Sequence, residues 1–127
     1  MNNSALILFA HGARDPRWAA PFQRLQALVK EQVSQQEVEL AFLELMEPRL
    51  PEAVKSVVAN GASEITIVPV FLGQGGHVLR DLPVILQDLK ASYPQVNFRL
   101  VEAVGENAAV LQAMARYCVE AAAPAGD

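Results

Sequence analysis

The chain carries two histidines, His11 and His77, and each follows an apolar run and opens the same short phrase. The first run, Ala5 to Ala10, leads into His11-Gly12-Ala13-Arg14-Asp15. The second, Ile65 to Leu72, leads through Gly73-Gln74-Gly75-Gly76 into His77-Val78-Leu79-Arg80-Asp81. Both phrases read His-x-x-Arg-Asp. Neutral imidazole binds metals and moves protons near pH 7, so two rings at the exits of two strands predict one shared site. Glu44, at the end of a further apolar run, is the carboxylate expected beside them. Two imidazoles and one carboxylate with open positions suit a divalent first-row metal such as cobalt, nickel or iron. Taken singly, a histidine past a strand is as readily a loop-bonding cap, and Glu44 a solvated strand end. Convergence of all three on one sheet edge is what favours a site.

Four β-type runs must position these groups: Ala5–Ala10, Val38–Glu44, Glu64–Leu72 and Val96–Val101. The first and third are almost continuously apolar, as central parallel strands covered on both faces are. Between and after them, apolar residues at spacings of three and four predict helices over Trp18–Val33, Pro48–Asn60, Val78–Ala91 and Asn107–Ala122. Asn60-Gly61 reads as a helix stop and Asn107 as an N-cap. The alternation predicts an α/β fold: one three-layer domain over residues 1–122 with a four-stranded parallel sheet in the order 2-1-3-4, and a flexible tail over 123–127. In that order strands one and three are neighbours whose connections leave to opposite faces. Ligands bind at such a switch point, beyond the carboxyl ends of the strands. The repeated phrase, with Glu44 and Glu102 closing comparable runs, also suggests an internal βαβα duplication.

Other residues near this edge have double readings. Arg14 and Arg80, three residues past each histidine, suit a clamp on an acidic ligand, since arginine pairs carboxylates in a bidentate way; ion pairs with Asp15 or Asp81 are the alternative. Asp15-Pro16 and Asp81-Leu82-Pro83 read as helix-start punctuation. Gly73, Gly75 and Gly76 let the backbone turn and let a bulky ligand approach, while Phe71 or Leu72 offers a wall for a flat one. Trp18 and Phe42 read as core or rim packing, and Glu47 as a cap on the helix after Pro48. Cys118, in register with Leu111, Met114 and Ala122, reads as a small core residue. The glycine cluster has neither Walker A spacing nor a Gly-Lys-Ser/Thr ending, and no dinucleotide-binding pattern is present.

Composition narrows the class. The 127 residues are 52% hydrophobic and 19% charged with a net charge of −4, an ordinary globular balance without the basic block of a nucleic-acid binder. One cysteine forms no internal disulfide and no multi-cysteine metal motif. No apolar run reaches the length of a bilayer span or has the flanks of a signal peptide, so a cytoplasmic protein without membrane contact is expected.

At these residues the chain resembles the short-form class II tetrapyrrole chelatases of the sirohydrochlorin cobaltochelatase/ferrochelatase type (CbiX/SirB-like). The likeness rests on Leu8-Phe9-Ala10-His11-Gly12-Ala13-Arg14-Asp15-Pro16, on Phe42-Leu43-Glu44-Leu45-Met46-Glu47-Pro48, and on the stretch from Pro69 through Gly73-Gln74-Gly75-Gly76-His77 to Pro83. It implies a chelatase-like fold. It also implies ATP-independent insertion of Co2+ or Fe2+, with Ni2+ a further candidate, into sirohydrochlorin in cobalamin or sirohaem synthesis. By position, His11 and His77 match the metal-binding and catalytic histidines and Glu44 their acidic partner, while Arg14 and Arg80 are placed for the substrate's carboxylates. Ala13 stands where the family commonly has serine. A single chelatase unit implies a homodimer. Two other readings remain open: a metal or tetrapyrrole carrier using the same pocket, and a histidine phosphohydrolase. The latter normally needs an arginine just before the histidine, where Ala10 stands.

Overall fold

The structure is a computed structural model that describes residues 3–73 and 75–124; the side chains of residues 76, 77 and 79 also lie outside the described residues. The elements run β1 (Ser4–Ala10), a 3-10 turn (Pro16–Ala19), α1 (Ala20–Gln32), β2 (Glu37–Phe42), α2 (Leu50–Ala59), β3 (Glu64–Pro69), α3 (Gly76–Ser92), β4 (Asn97–Leu100), a second 3-10 turn (Val104–Glu106) and α4 (Ala108–Ala122). The sheet order is β2-β1-β3-β4, and every pairing is parallel. That is the expected order, and the near-continuous apolar character of β1 and β3 fits their central places in it, with β1 the more completely buried of the two.

One face of the sheet sends Ile7, Phe9, Ile65 and Ile67 against Val54 and Val57 of α2 and Val78 and Leu82 of α3. The other sends Leu8, Val38, Leu40 and Phe42 against Phe22, Leu25 and Val29 of α1. Helices α1 and α3, which follow the two central strands, therefore lie on opposite faces.

Caps set the boundaries. Asp15 accepts a hydrogen bond from the Arg17 amide at 2.9 Å and opens the first 3-10 turn; Asn107 accepts from Ala109 and Val110 at 3.0 and 3.2 Å and opens α4. Gly61, at φ +100°, stops α2 in the left-handed conformation that glycine adopts most easily.

Two expectations are corrected. Helix α3 starts at Gly76, so Asp81-Leu82-Pro83 lies inside it and does not open it. Pro83 is exposed there, and water can satisfy the carbonyl one turn earlier that its missing N–H leaves free. Cys118 is exposed and no residue of α4 is buried, so it is not a core residue. The helical spacing was real, but this chain's own sheet does not cover the stripe. Among the described residues no helix is long and apolar enough to cross a membrane.

Candidate functional site

β1 and β2 pair up to Ala10 and Phe42, and the ladder continues past both strand ends. The Leu43 amide donates to the Ala10 carbonyl at 2.9 Å and the Glu44 amide to the His11 carbonyl at 3.1 Å. His11 and Glu44 are thus fixed side by side, both half-buried, at the carboxyl edge of the sheet. Gly12 makes this possible. Its φ is +101°, and a Cβ there would sit 1.8 Å from the Glu44 carbonyl oxygen. Only glycine lets the two loop backbones close to this distance.

The His11 ring lies 5.5 Å from that of Phe71, which in turn meets Phe9 edge-on at 5.9 Å. An aromatic pair of this kind restricts the imidazole's orientation from the β3 side. Phe71 and Leu72 are held by the second 3-10 turn. The Gly105 amide donates to the Phe71 carbonyl at 3.0 Å, and a Cβ on Gly105 would meet the Leu72 carbonyl oxygen at 1.7 Å.

Beside His11 opens a cavity of about 400 Å³. Apart from His11, its walls are apolar: Trp18, Phe22, Val70, Phe71, Leu72 and Val104. Trp18 packs on Phe22 with ring centres 4.6 Å apart and sits 6.4 Å from Phe42. A slot lined by aromatic and aliphatic groups with a single imidazole at its edge suits a flat apolar body that has one polar reacting centre.

The sequence expectations meet this geometry as follows. Phe71 and Leu72, named from the sequence as a possible wall for a flat ligand, line the cavity. Trp18 lines it too, where only packing was expected; Phe22 and Val104 join it, and Gly12 and Gly105 tie it together. Gly73 and Gly75 are not needed for the turn, since neither has a positive φ and an added Cβ would meet nothing.

His77 is the second residue of α3, at the carboxyl end of the strand next to β1. Its side chain and Gln74 lie outside the described residues. The two His-x-x-Arg-Asp phrases differ in form: the first is a loop ending in a cap, the second the first turns of a helix. Arg14 and Arg80 are exposed. Arg80 lies 3.8 Å from Asp81, a loose pair, whereas Asp15 is clamped by Arg17 at 2.7 Å, and not by Arg14. That guanidinium holds the Asp15 carboxyl below its usual range. Glu47 is exposed in the loop before α2, and the cap there is Glu52, which accepts from the Arg49 amide at 2.9 Å. Among the described residues no three His, Cys, Asp or Glu side chains come together as a metal cage. His11 and Glu44 are the described part of the proposed set.

A family model described as CbiX matches residues 5–121. The chain belongs to the CbiX family. The sirohydrochlorin cobaltochelatases of Methanococcus aeolicus and Methanocaldococcus jannaschii are 40% and 42% identical to it over 82 residues, 65% of this chain. The match spans 57% of the length of each of those relatives. A solved cobalamin (vitamin B12) biosynthesis CbiX protein from Marinobacter aquaeolei VT8 superposes with a TM-score of 0.82 at 32% identity, covering 93% of this chain and 96% of that one. SirB from Bacillus subtilis, solved with Fe3+, superposes with a TM-score of 0.81 at 25% identity, covering 98% of this chain and 49% of SirB. The sirohydrochlorin chelatase SirB from Bacillus subtilis subspecies spizizenii, solved in complex with cobalt, gives a TM-score of 0.79.

Proposed function

We propose that this CbiX-family protein is a lyase-class chelatase that inserts Co2+ or Fe2+ into sirohydrochlorin without nucleotide hydrolysis. The relatives named as sirohydrochlorin cobaltochelatases and the SirB structures holding iron and cobalt support the substrate pair. The observation that carries the reading is the pairing of His11 with Glu44 at the rim of a cavity whose other walls are apolar.

Insertion replaces two pyrrole N–H protons by one M2+ and releases two protons. His11, Glu44 and His77 divide the work. An imidazole presents the ion as a borderline ligand after its waters are stripped, and imidazole and carboxylate accept the departing protons. The macrocycle lies in the cavity lined by Trp18, Phe22, Phe71 and Leu72, with the open space at Gly73 and Gly75 giving room for its edge. Its peripheral carboxylates meet Arg14 and Arg80, whose exposure leaves the guanidinium groups available at the mouth. The same donor set accommodates Ni2+.

The active unit is a homodimer, in keeping with a chain that matches about half of SirB. A cytoplasmic setting agrees with the exposed thiol of Cys118, which stays reduced there. The test is purified protein with sirohydrochlorin and Co2+, Fe2+ or Ni2+, followed by the visible spectrum. Many turnovers above the spontaneous rate, lost in His11→Ala and in His77→Ala, are expected. Stoichiometric binding without turnover would show a carrier, and unimpaired variants would refute the assigned roles.

A further inference from the structure

Leu45 stands in a conformation that its own side chain opposes. Its φ is +69°, in the left-handed region where Cβ crowds the following carbonyl oxygen. Among the described residues it is the one non-glycine residue with a positive φ. Glycine or asparagine adopts this conformation with less strain, and a bulky aliphatic residue there is an outlier. The neighbours impose the reversal. The Glu44 amide is tied to the His11 carbonyl at 3.1 Å, while Met46 packs against the α1-side cluster that includes Trp18, Phe22 and Phe42. The Phe42 amide donates to the Pro48 carbonyl at 2.9 Å and closes the loop between them. These contacts require a turn at position 45, but none of them requires leucine, whose surface stays 51% exposed. Strain held beside a reacting group points to function.

The place of Leu45 in the fold says what it meets. The sheet order puts β1, which leads into His11, between β2 and β3. The cavity walls come from the residues after β3 and from the α1 side, and Leu72 among them is 59% exposed. On the β2 side, the first apolar side chain beyond Glu44 is Leu45. A tetrapyrrole carries its reacting N–H groups at its centre, and its ring extends equally in every direction within its plane. With that centre at His11 and Glu44, one half of the ring enters the cavity and the other half overhangs the β2 side.

Resting on the chelatase reading, we propose that Leu45 is a further binding residue for the macrocycle. Its isobutyl group packs on the half of the ring that the cavity leaves out, and the strained backbone keeps it at the rim beside Glu44. Leu72 and Leu45, on the two strands that flank β1, then grip the ring on either side of the reacting centre.

The test compares the parent chain with Leu45→Asn and Leu45→Met. Asparagine fits the left-handed region and loses the apolar contact, whereas methionine keeps both the strain and the apolar reach. Each chain is unfolded thermally, titrated with metal-free sirohydrochlorin by quenching of Trp18, the chain's single tryptophan, and assayed for cobalt insertion. Leu45→Asn should unfold at or above the parent Tm. It should bind sirohydrochlorin about tenfold more weakly, the loss expected for one leucine contact, and its KM should rise more than its kcat falls. Leu45→Met should bind like the parent. Parent affinity in Leu45→Asn would overturn the proposal, and a changed sedimenting mass at that affinity would assign the side chain to a protein contact instead. A lowered Tm with kcat and KM impaired together would assign it to packing and overturn the proposal as well. A parent that binds sirohydrochlorin without inserting cobalt refutes the chelatase reading, and the titration still decides the role of Leu45. A parent that inserts cobalt, beside a Leu45→Asn chain of unchanged KM and affinity, refutes the proposal alone.

Discussion

Replacing Gly12 by alanine isolates the contact that holds His11 beside Glu44. At φ +101° an L-residue costs about 1–2 kcal/mol. Its Cβ would lie 1.8 Å from the Glu44 carbonyl oxygen, where ordinary contact begins at 3.4 Å, so the two loops must part by about 1.6 Å. Parting them breaks the hydrogen bond from the Glu44 amide to the His11 carbonyl, worth about 1 kcal/mol. The sum is about 2–3 kcal/mol, a fall in Tm of roughly 10 °C for a chain of this size. Displacing a reacting group by about 1 Å lowers turnover on the order of 100-fold. The control is Gly73→Ala, where an added Cβ meets nothing and stability should stay the same. Thermal unfolding by circular dichroism and steady-state cobalt insertion read both effects. A Gly12→Ala protein as stable as the Gly73→Ala protein and as active as the parent would refute the reasoning.

Three further outcomes follow from the same structure. Gly105→Ala forces the Val104–Glu106 turn away from Leu72, so KM for the tetrapyrrole should rise more than kcat falls; an unchanged KM would show that the turn does not shape the cavity. Trp18→Ala removes one wall of the slot and its contact with Phe22, and substrate titration should show affinity weakened about tenfold or more, as expected for loss of about 1.5 kcal/mol or more of buried aromatic surface. Burial, reinforced by its hydrogen bond and repulsion with Glu37, pushes the Glu39 carboxyl above its ordinary value. The folded state therefore binds that proton more tightly, and stability falls as pH rises from the unfolded value through the folded one. Glu39→Gln should accordingly raise Tm slightly at pH 7 and lose this advantage below the ordinary carboxylate range; an equal gain at both pH values would show another cause.

Much of the fold was legible because its signals are local and repeated. The continuous apolar runs of β1 and β3 identify the central strands, and right-handed crossovers then leave few orders besides 2-1-3-4. His11 and Glu44 were legible as neighbours because each ends one of two adjacent strands. Contacts that depend on tertiary approach were not legible. Nothing local marks Gly12 or Gly105 as points where two backbones touch. The Pro16–Ala19 turn hid the placement of Trp18 over the cavity, since a helical pattern drawn through that turn gives it only a packing role. The Gly73–Gly76 run read as loop up to His77, yet α3 begins within it because the apolar contacts of Val78 and Leu82 hold the turns that follow. Cys118 shows the limit most plainly, because a periodic stripe says that a helix face must be covered and does not say by which molecule.

The proposed chelatase chemistry requires His11 and His77 to serve one ion at the mouth of the cavity. A crystal structure of the protein soaked with Co2+, with the metal located by its anomalous scattering, tests this directly. One cobalt peak within bonding distance of both imidazoles is expected, with Glu44 bound to it directly or through a water. Cobalt bound by one histidine alone, or a peak away from the carboxyl edge of the sheet, would overturn that chemistry.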